Sequence, residues 1–188
     1  MIFFCLGNPG REYTRTRHNI GFMAADFLIK KYNSSFLEKF NSLYAKINTG
    51  KNIYYVVKPQ TYMNNSGDAV NNFKNFFHTE NQQLCVVADD CNIPFGALRI
   101  RCSGSAGGHN GLKSVIARIG DDFPRVRCGI GSPENKIPLE KYVLSAFDQQ
   151  ENAVLPEFIE HIAGCLTEIT TGGIAKSMNL YNGNIFNA

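Results

Sequence analysis

The sequence predicts an α/β fold in a single domain over residues 1–188, a mostly parallel, mixed and twisted sheet with helices on both faces. Two observations predict it. Short apolar or alternating segments take turns with segments of helical spacing, the pattern of helices packed on a parallel sheet. No linker, repeat or low-complexity tract breaks that alternation, and 188 residues suit one domain with its own core.

Residues 2–6 are a continuous apolar run, read as a buried first strand. The run lacks a basic flank and stops at the turn Gly7-Asn8-Pro9-Gly10, so it is not read as a leader. Residues 19–32 put Ile20, Met23, Ala24, Phe27 and Leu28 on one helical face. Residues 53–57 form the second strand, ended by Lys58-Pro59. Residues 68–77 read as a helix with Val70, Phe73, Phe76 and Phe77 inward, capped by Asn65 or Ser66. Asp68 suits the positive end of that helix.

Residues 84–88 are a short apolar strand. Residues 97–102 alternate Leu98, Ile100 and Cys102 with Arg99 and Arg101, a strand with one wet, basic face. Residues 125–130 repeat that alternation, with Arg125 and Arg127 opposite Val126, Cys128 and Ile130. Residues 112–119, 138–147 and 149–171 read as helices, the last offset at Pro156. The polar residues from Gly172 onward are expected to fray.

Composition narrows the classes. No apolar run approaches the roughly 20 residues that span a bilayer, so no membrane association is expected. The six cysteines form no CxxC pair, and four of them lie in apolar strand-like runs, where reduced thiols act as small hydrophobes. A cytoplasmic protein and a monomer are the expectation. The net charge is only +3, yet residues 97–127 hold six basic side chains against two acids, a local +4. Such a patch can hold phosphates, although charge alone reads more readily as a solvated face.

In sheets of this kind ligands sit at the carboxyl ends of strands. That rule selects the loops after the first three predicted strands. The first leads from Gly7-Asn8-Pro9-Gly10 to His18, a side chain suited to proton transfer near neutral pH. By itself His18 reads more readily as a capping or surface histidine. The third loop begins with Asp89 and Asp90, and a carboxylate there can hold an imidazole in one tautomer. Asn64, Asn65 and Asn110 lie in other loops, where neutral amides could read a peptide backbone without adding charge. The sequence has no GxSxG elbow, Walker loop, HExxH or helix-opening GxGxxG. His18, His78, His109 and His161 show no metal-ligand spacing. A His/Asp pair without a nucleophilic side chain favours attack by an activated water.

These motifs together resemble the bacterial type of peptidyl-tRNA hydrolase, over nearly the whole length. They are Gly7-Asn8-Pro9-Gly10; Tyr13 with Thr16-Arg17-His18-Asn19 and Gly21; Lys58-Pro59-Gln60-Thr61-Tyr62-Met63-Asn64-Asn65-Ser66-Gly67; Asp89-Asp90; and Gly107-Gly108-His109-Asn110-Gly111-Leu112. The resemblance implies that His18 activates water, that Asp89 orients His18 and that Asn8 helps place the water and the scissile group. It further implies that Asn64 and Asn110 hold the peptide, that Met63 lines its channel and that Tyr13 lies where the tRNA 3′ end enters. Arg99, Arg101, Lys113 and Arg127 fall where the family holds tRNA phosphate. The implied substrate is peptidyl-tRNA, cleaved at the ester to the terminal ribose, with no metal and no cofactor. Cys5, Ala88 and the segment Cys102-Ser103-Gly104-Ser105-Ala106 depart from the family pattern.

Two other readings stay open. One is a non-catalytic RNA-binding relative, since plant organelle splicing factors resemble this family and keep its fold. The other is a phosphate-binding nucleoside enzyme, which rests on the glycine loops alone. The joint presence of His18, Asp89, Asn8, Asn64 and Asn110 favours the hydrolase.

Overall fold

The computed structural model describes residues 1–133 and 137–187. In chain order its strands are β1 (Ile2–Cys5), β2 (Leu37–Glu38), β3 (Ser42–Asn48), β4 (Ile53–Pro59), β5 (Leu84–Asp90), β6 (Ala97–Arg101), β7 (Arg125–Gly129) and β8 (Gly183–Asn184). The helices are α1 (Ile20–Lys31), α2 (Ser66–Phe77), α3 (Asn110–Ile119), α4 (Leu139–Val143) and α5 (Gln149–Tyr181). One sheet takes the order β2-β3-β4-β1-β5-β7-β6-β8. Its centre, β4-β1-β5-β7, is parallel, and antiparallel pairs finish both sides.

β1 lies between two parallel neighbours and has no wet face, which explains its unbroken apolar run. Its alternation divides the core. Phe3 and Cys5 join Ile20, Ala24 and Leu28 of α1 and Phe158, Ile162 and Leu166 of α5. Ile2 and Phe4, with Leu6 just beyond the strand, join Val70 and Phe73 of α2 and Leu112 and Val115 of α3. Helices therefore cover both faces, as the sequence predicts.

The structure corrects several local expectations. Residues 53–57 belong to the fourth strand, because a hairpin, β2-β3, precedes it and β3 pairs antiparallel with all of β4. Its turn uses Phe40 and Asn41, both at positive φ (49° and 50°), the geometry of a tight hairpin turn without the usual glycine. Phe76 is 49% exposed instead of inward. Arg125 is buried although it sits on the predicted wet face. Its guanidinium donates to the carbonyls of Gly104, Ser105, Asp121 and Phe123, so it tethers the loop before α3 and adds nothing to an outer patch. The helix expected over 138–147 shrinks to α4, since Ser145 and Ala146 pair instead with the segment before His18. α5 runs through Pro156 and is broken at Gly173 (φ 80°, ψ 169°). The tail does not fray. It forms β8 on the edge of β6, and the Asn182 side chain accepts from the Ile100 N–H at 2.6 Å.

Two glycines mark close backbone approaches. A Cβ at Gly67 in α2 would come within 2.1 Å of the Ser114 carbonyl oxygen in α3. A Cβ at Gly21 in α1 would lie 2.6 Å from the Leu6 carbonyl oxygen and 3.0 Å from that of Val87. These are main-chain atoms of β5 and of the residue just past β1, and they cannot swing aside. Gly21→Ala is expected to cost about 1–3 kcal/mol by overpacking, read as a fall in Tm of roughly 5 °C by calorimetry.

Candidate active site

The site follows from strand register. β1 pairs parallel with β5 through Cys5 and Val87, so the loop leaving β1 emerges beside the last residues of β5. That loop ends in a 3-10 turn over Arg17–Asn19 that runs into α1. It carries His18 to Asp89, with His18 Nδ1 2.7 Å from Asp89 Oδ1. His109, the residue before α3, brings its Nε2 to 2.9 Å from the same oxygen. The two imidazole centroids are 5.1 Å apart.

Tautomers follow from the partners. His109 Nδ1 accepts the Leu112 N–H at 3.2 Å, so its ring proton is on Nε2 and is donated to Asp89. His18 donates through Nδ1, which leaves Nε2 as its free lone pair. Burial alone would raise the Asp89 carboxyl. The charges and hydrogen bonds of His109 and His18 outweigh it and hold the group well below the usual carboxylate range.

The donors His18, Asp89 and His109 are also the types that bind metal. The N–O separations of 2.7 and 2.9 Å are hydrogen-bond lengths. Ligand atoms around a tetrahedral zinc stand about 3.3 Å apart. The arrangement fits shared protons better than a shared cation.

The residues flanking His18 are both buried. Arg17 forms a two-point ion pair with Glu151 of α5, at 2.7 and 2.6 Å, and donates to the Ile130 carbonyl. Its guanidinium also lies over the rings of Tyr142 and Phe147, 4.5 and 4.9 Å from their centres. Glu151 is in turn the third residue of α5 and closes a capping box with Asp148. Asn19 makes two contacts with the main chain of Asn8, donating to its carbonyl and accepting from its N–H.

Two cavities meet at His18. One, about 280 Å³, is lined by Asp89, Asp90, Cys91, His109 and Lys113. The other, about 480 Å³, is lined by Asn8, Tyr62, Met63, Asn64 and Leu144. His18, Asn110, Glu140 and Val143 border both, so α4 forms a common roof.

Of the residues selected from sequence, His18, Asp89, Asn8, Met63, Asn64, Asn110 and Lys113 border these cavities. Asn8 Oδ1 accepts the Met63 N–H at 2.8 Å, which leaves its Nδ2 protons to donate elsewhere. Lys113 Nζ donates to Asn110 Oδ1 at 3.3 Å. Tyr13 is half-buried and lines neither cavity. Arg99 and Arg101 are exposed on β6 and border a separate hollow of about 400 Å³ beside β8. Arg127 is paired with the buried Asp90 at 2.6 Å. Sequence reasoning missed the roof residues Glu140, Val143 and Leu144, and the bond from His109 to Asp89. The Gly-Gly-His-Asn run before a helix was the available signal for His109, whose cap geometry needs coordinates.

Fold and site define a class: an α/β protein with a histidine–carboxylate pair in a cleft at the carboxyl ends of its central strands. The family model described as Peptidyl-tRNA hydrolase matches residues 2–187. The chain is 43% identical to the peptidyl-tRNA hydrolase of Persephonella marina over 94% of both chains. It is 44% identical to that of Fervidobacterium nodosum, over 97% of this chain and 96% of the relative. The crystal structure of the Acinetobacter baumannii peptidyl-tRNA hydrolase superposes with a TM-score of 0.90 at 31% identity, covering 97% of this chain and 94% of that one. The chain belongs to the peptidyl-tRNA hydrolase family.

The depressed Asp89 carboxyl sets a pH dependence of stability. Its contribution is complete above the unfolded range near pH 4 and is lost as pH falls toward the folded value. The Tm difference between the protein and Asp89→Asn is expected to be present at about pH 5 and to shrink as pH is lowered from about 4 toward 2.

Proposed function

We propose that this chain hydrolyses the ester joining a peptide to the terminal ribose of tRNA, with water activated by His18. The observation that carries the reading is the 2.7 Å contact between His18 Nδ1 and Asp89, made where two cavities join. Asp89 fixes the tautomer, and Nε2 takes a proton from water. The oxygen of that water adds to the ester carbonyl carbon. Asn8 Nδ2 donates to the oxyanion that forms. Collapse breaks the carbon–ribose oxygen bond, and the proton on His18 passes to the leaving ribose oxygen. The products are a peptide carboxylate and tRNA available for reuse.

Several features support water as the nucleophile. Cys91 is the thiol bordering the site, and burial, with Asp90 and Asp89 beside it, pushes that thiol up and away from the reactive thiolate. His109 is ill placed to act as the base, because the Leu112 N–H occupies its second nitrogen. Asn64 and Asn110 at the rim suit the amides of a peptide, and Met63 suits its apolar contacts. In this reading Tyr13 meets the incoming 3′ end, and Arg99, Arg101, Lys113 and Arg127 hold phosphates. Arg99 and Arg101 are the more open pair, since Arg127 already faces Asp90.

The direct test is release of the blocked amino acid from N-blocked aminoacyl-tRNA. Turnover is the expected result; binding without release would favour a non-catalytic RNA-binding protein. His18→Ala should lower kcat by at least about 10³-fold with little change in tRNA binding, and His109→Ala should cost far less. A His18→Ala variant of ordinary kcat would remove His18 as the base. Arg99→Ala combined with Arg101→Ala should raise KM and flatten its dependence on salt by about two phosphate contacts. An unchanged salt slope would move the phosphate site elsewhere.

A further inference from the structure

We infer that Asn19 is a positioning residue that sets the orientation of Asn8 in the site. The inference rests on the hydrolytic reading of Asn8 given above and adds a residue to it. Asn19 is 2% exposed. Its Nδ2 donates to the Asn8 carbonyl at 2.9 Å, and its Oδ1 accepts the Asn8 N–H at 2.8 Å. One planar amide therefore holds both polar groups of the Asn8 main chain, eleven positions away in the sequence. At the far end of the same residue, Oδ1 accepts the Met63 N–H at 2.8 Å. The main chain and the side-chain oxygen are fixed together, so the direction of Asn8 Nδ2 is fixed as well.

The chemistry requires an amide at position 19. An N–H and a C=O of one residue are matched by a group that donates and accepts in one plane. Asp has the same shape but only accepts when ionised, and it would set an anion against the Asn8 carbonyl oxygen. Ala fills neither contact and leaves partly buried main-chain groups without these partners. Asn19 also belongs to the turn that bears His18, so one short segment orients both the base and the oxyanion donor. A displacement of about 1 Å at such a group can cost about 10²-fold in rate.

A double-mutant cycle separates this role from plain support of the fold. Asn19→Ala, Asn8→Ala and the double variant are assayed on N-blocked aminoacyl-tRNA, under single-turnover conditions with enzyme in excess. Asn19→Ala alone is expected to lower the rate about 10- to 100-fold with KM within about twofold. Added to Asn8→Ala, it is expected to change the rate less than about twofold, while lowering Tm equally in both backgrounds. Rate losses that multiply would mean that Asn19 acts through His18 or through general stability, and would overturn the inference. Asn8→Ala turning over at the unsubstituted rate would overturn it too. If Asn19→Ala does not fold, Asn19→Asp serves in the same cycle with the same expectation. Failure of the unsubstituted protein to release the amino acid would instead strike the hydrolase reading itself.

Discussion

One buried oxygen organises the functional end of this protein. Asp89 Oδ1 accepts hydrogen bonds from two imidazoles that reach it from different parts of the chain. His18 arrives on the loop after β1, and His109 arrives at the start of α3. The parallel pairing of β1 and β5 brings the loop after β1 beside Asp89. A carboxylate this buried is costly unless it is satisfied, and the two donors satisfy it. The site is thus assembled around an electrostatic demand created by the sheet.

Support for the site is distributed by element. Arg17 ties the His18 turn to α5 and to the ring of Tyr142 in the roof helix. Tyr142 also donates its hydroxyl to the Ile130 carbonyl at 2.7 Å, the acceptor that Arg17 shares. Asn19 ties the same turn to the Asn8 loop. Breaking the Arg17–Glu151 pair would leave a partly buried carboxylate without its partner, and that carboxylate also closes the capping box at the start of the longest helix. Local geometry at His18 and global stability are therefore coupled through one guanidinium.

Much of this was legible in the sequence because the central strands advertise themselves. Unbroken apolar runs at β1 and β5 fixed the middle of a parallel sheet, and the residues following them were the natural places for a site. What escaped was local chemistry with no periodic signature. The β2-β3 hairpin turns on Phe40 and Asn41, which lack the Asn-Gly signal. Arg125 alternates like a surface residue, yet four carbonyls satisfy it in the interior, and alternation cannot reveal such partners. The tail after Gly172 is polar, and its order comes from a distant strand edge rather than from its own composition. The short roof helix loses its last turn to main-chain pairing with a segment more than a hundred residues earlier. At the site, Asn110 could be selected from its motif, whereas the bond from His109 to Asp89 depends on cap geometry.

The absence of a side chain at Gly67 reaches the mouth of the cleft. α2 and α3 touch main chain to main chain there, and the Gly67 N–H donates to Ser114 Oγ at 3.0 Å. Asn64 lies just before the first of these helices, and Asn110 opens the second. With no compressible layer between them, the two helices act as a single fixed jaw, and the gap between its two amide teeth is built in. The opposite wall of the cleft is α4, which Arg17 meets at the ring of Tyr142.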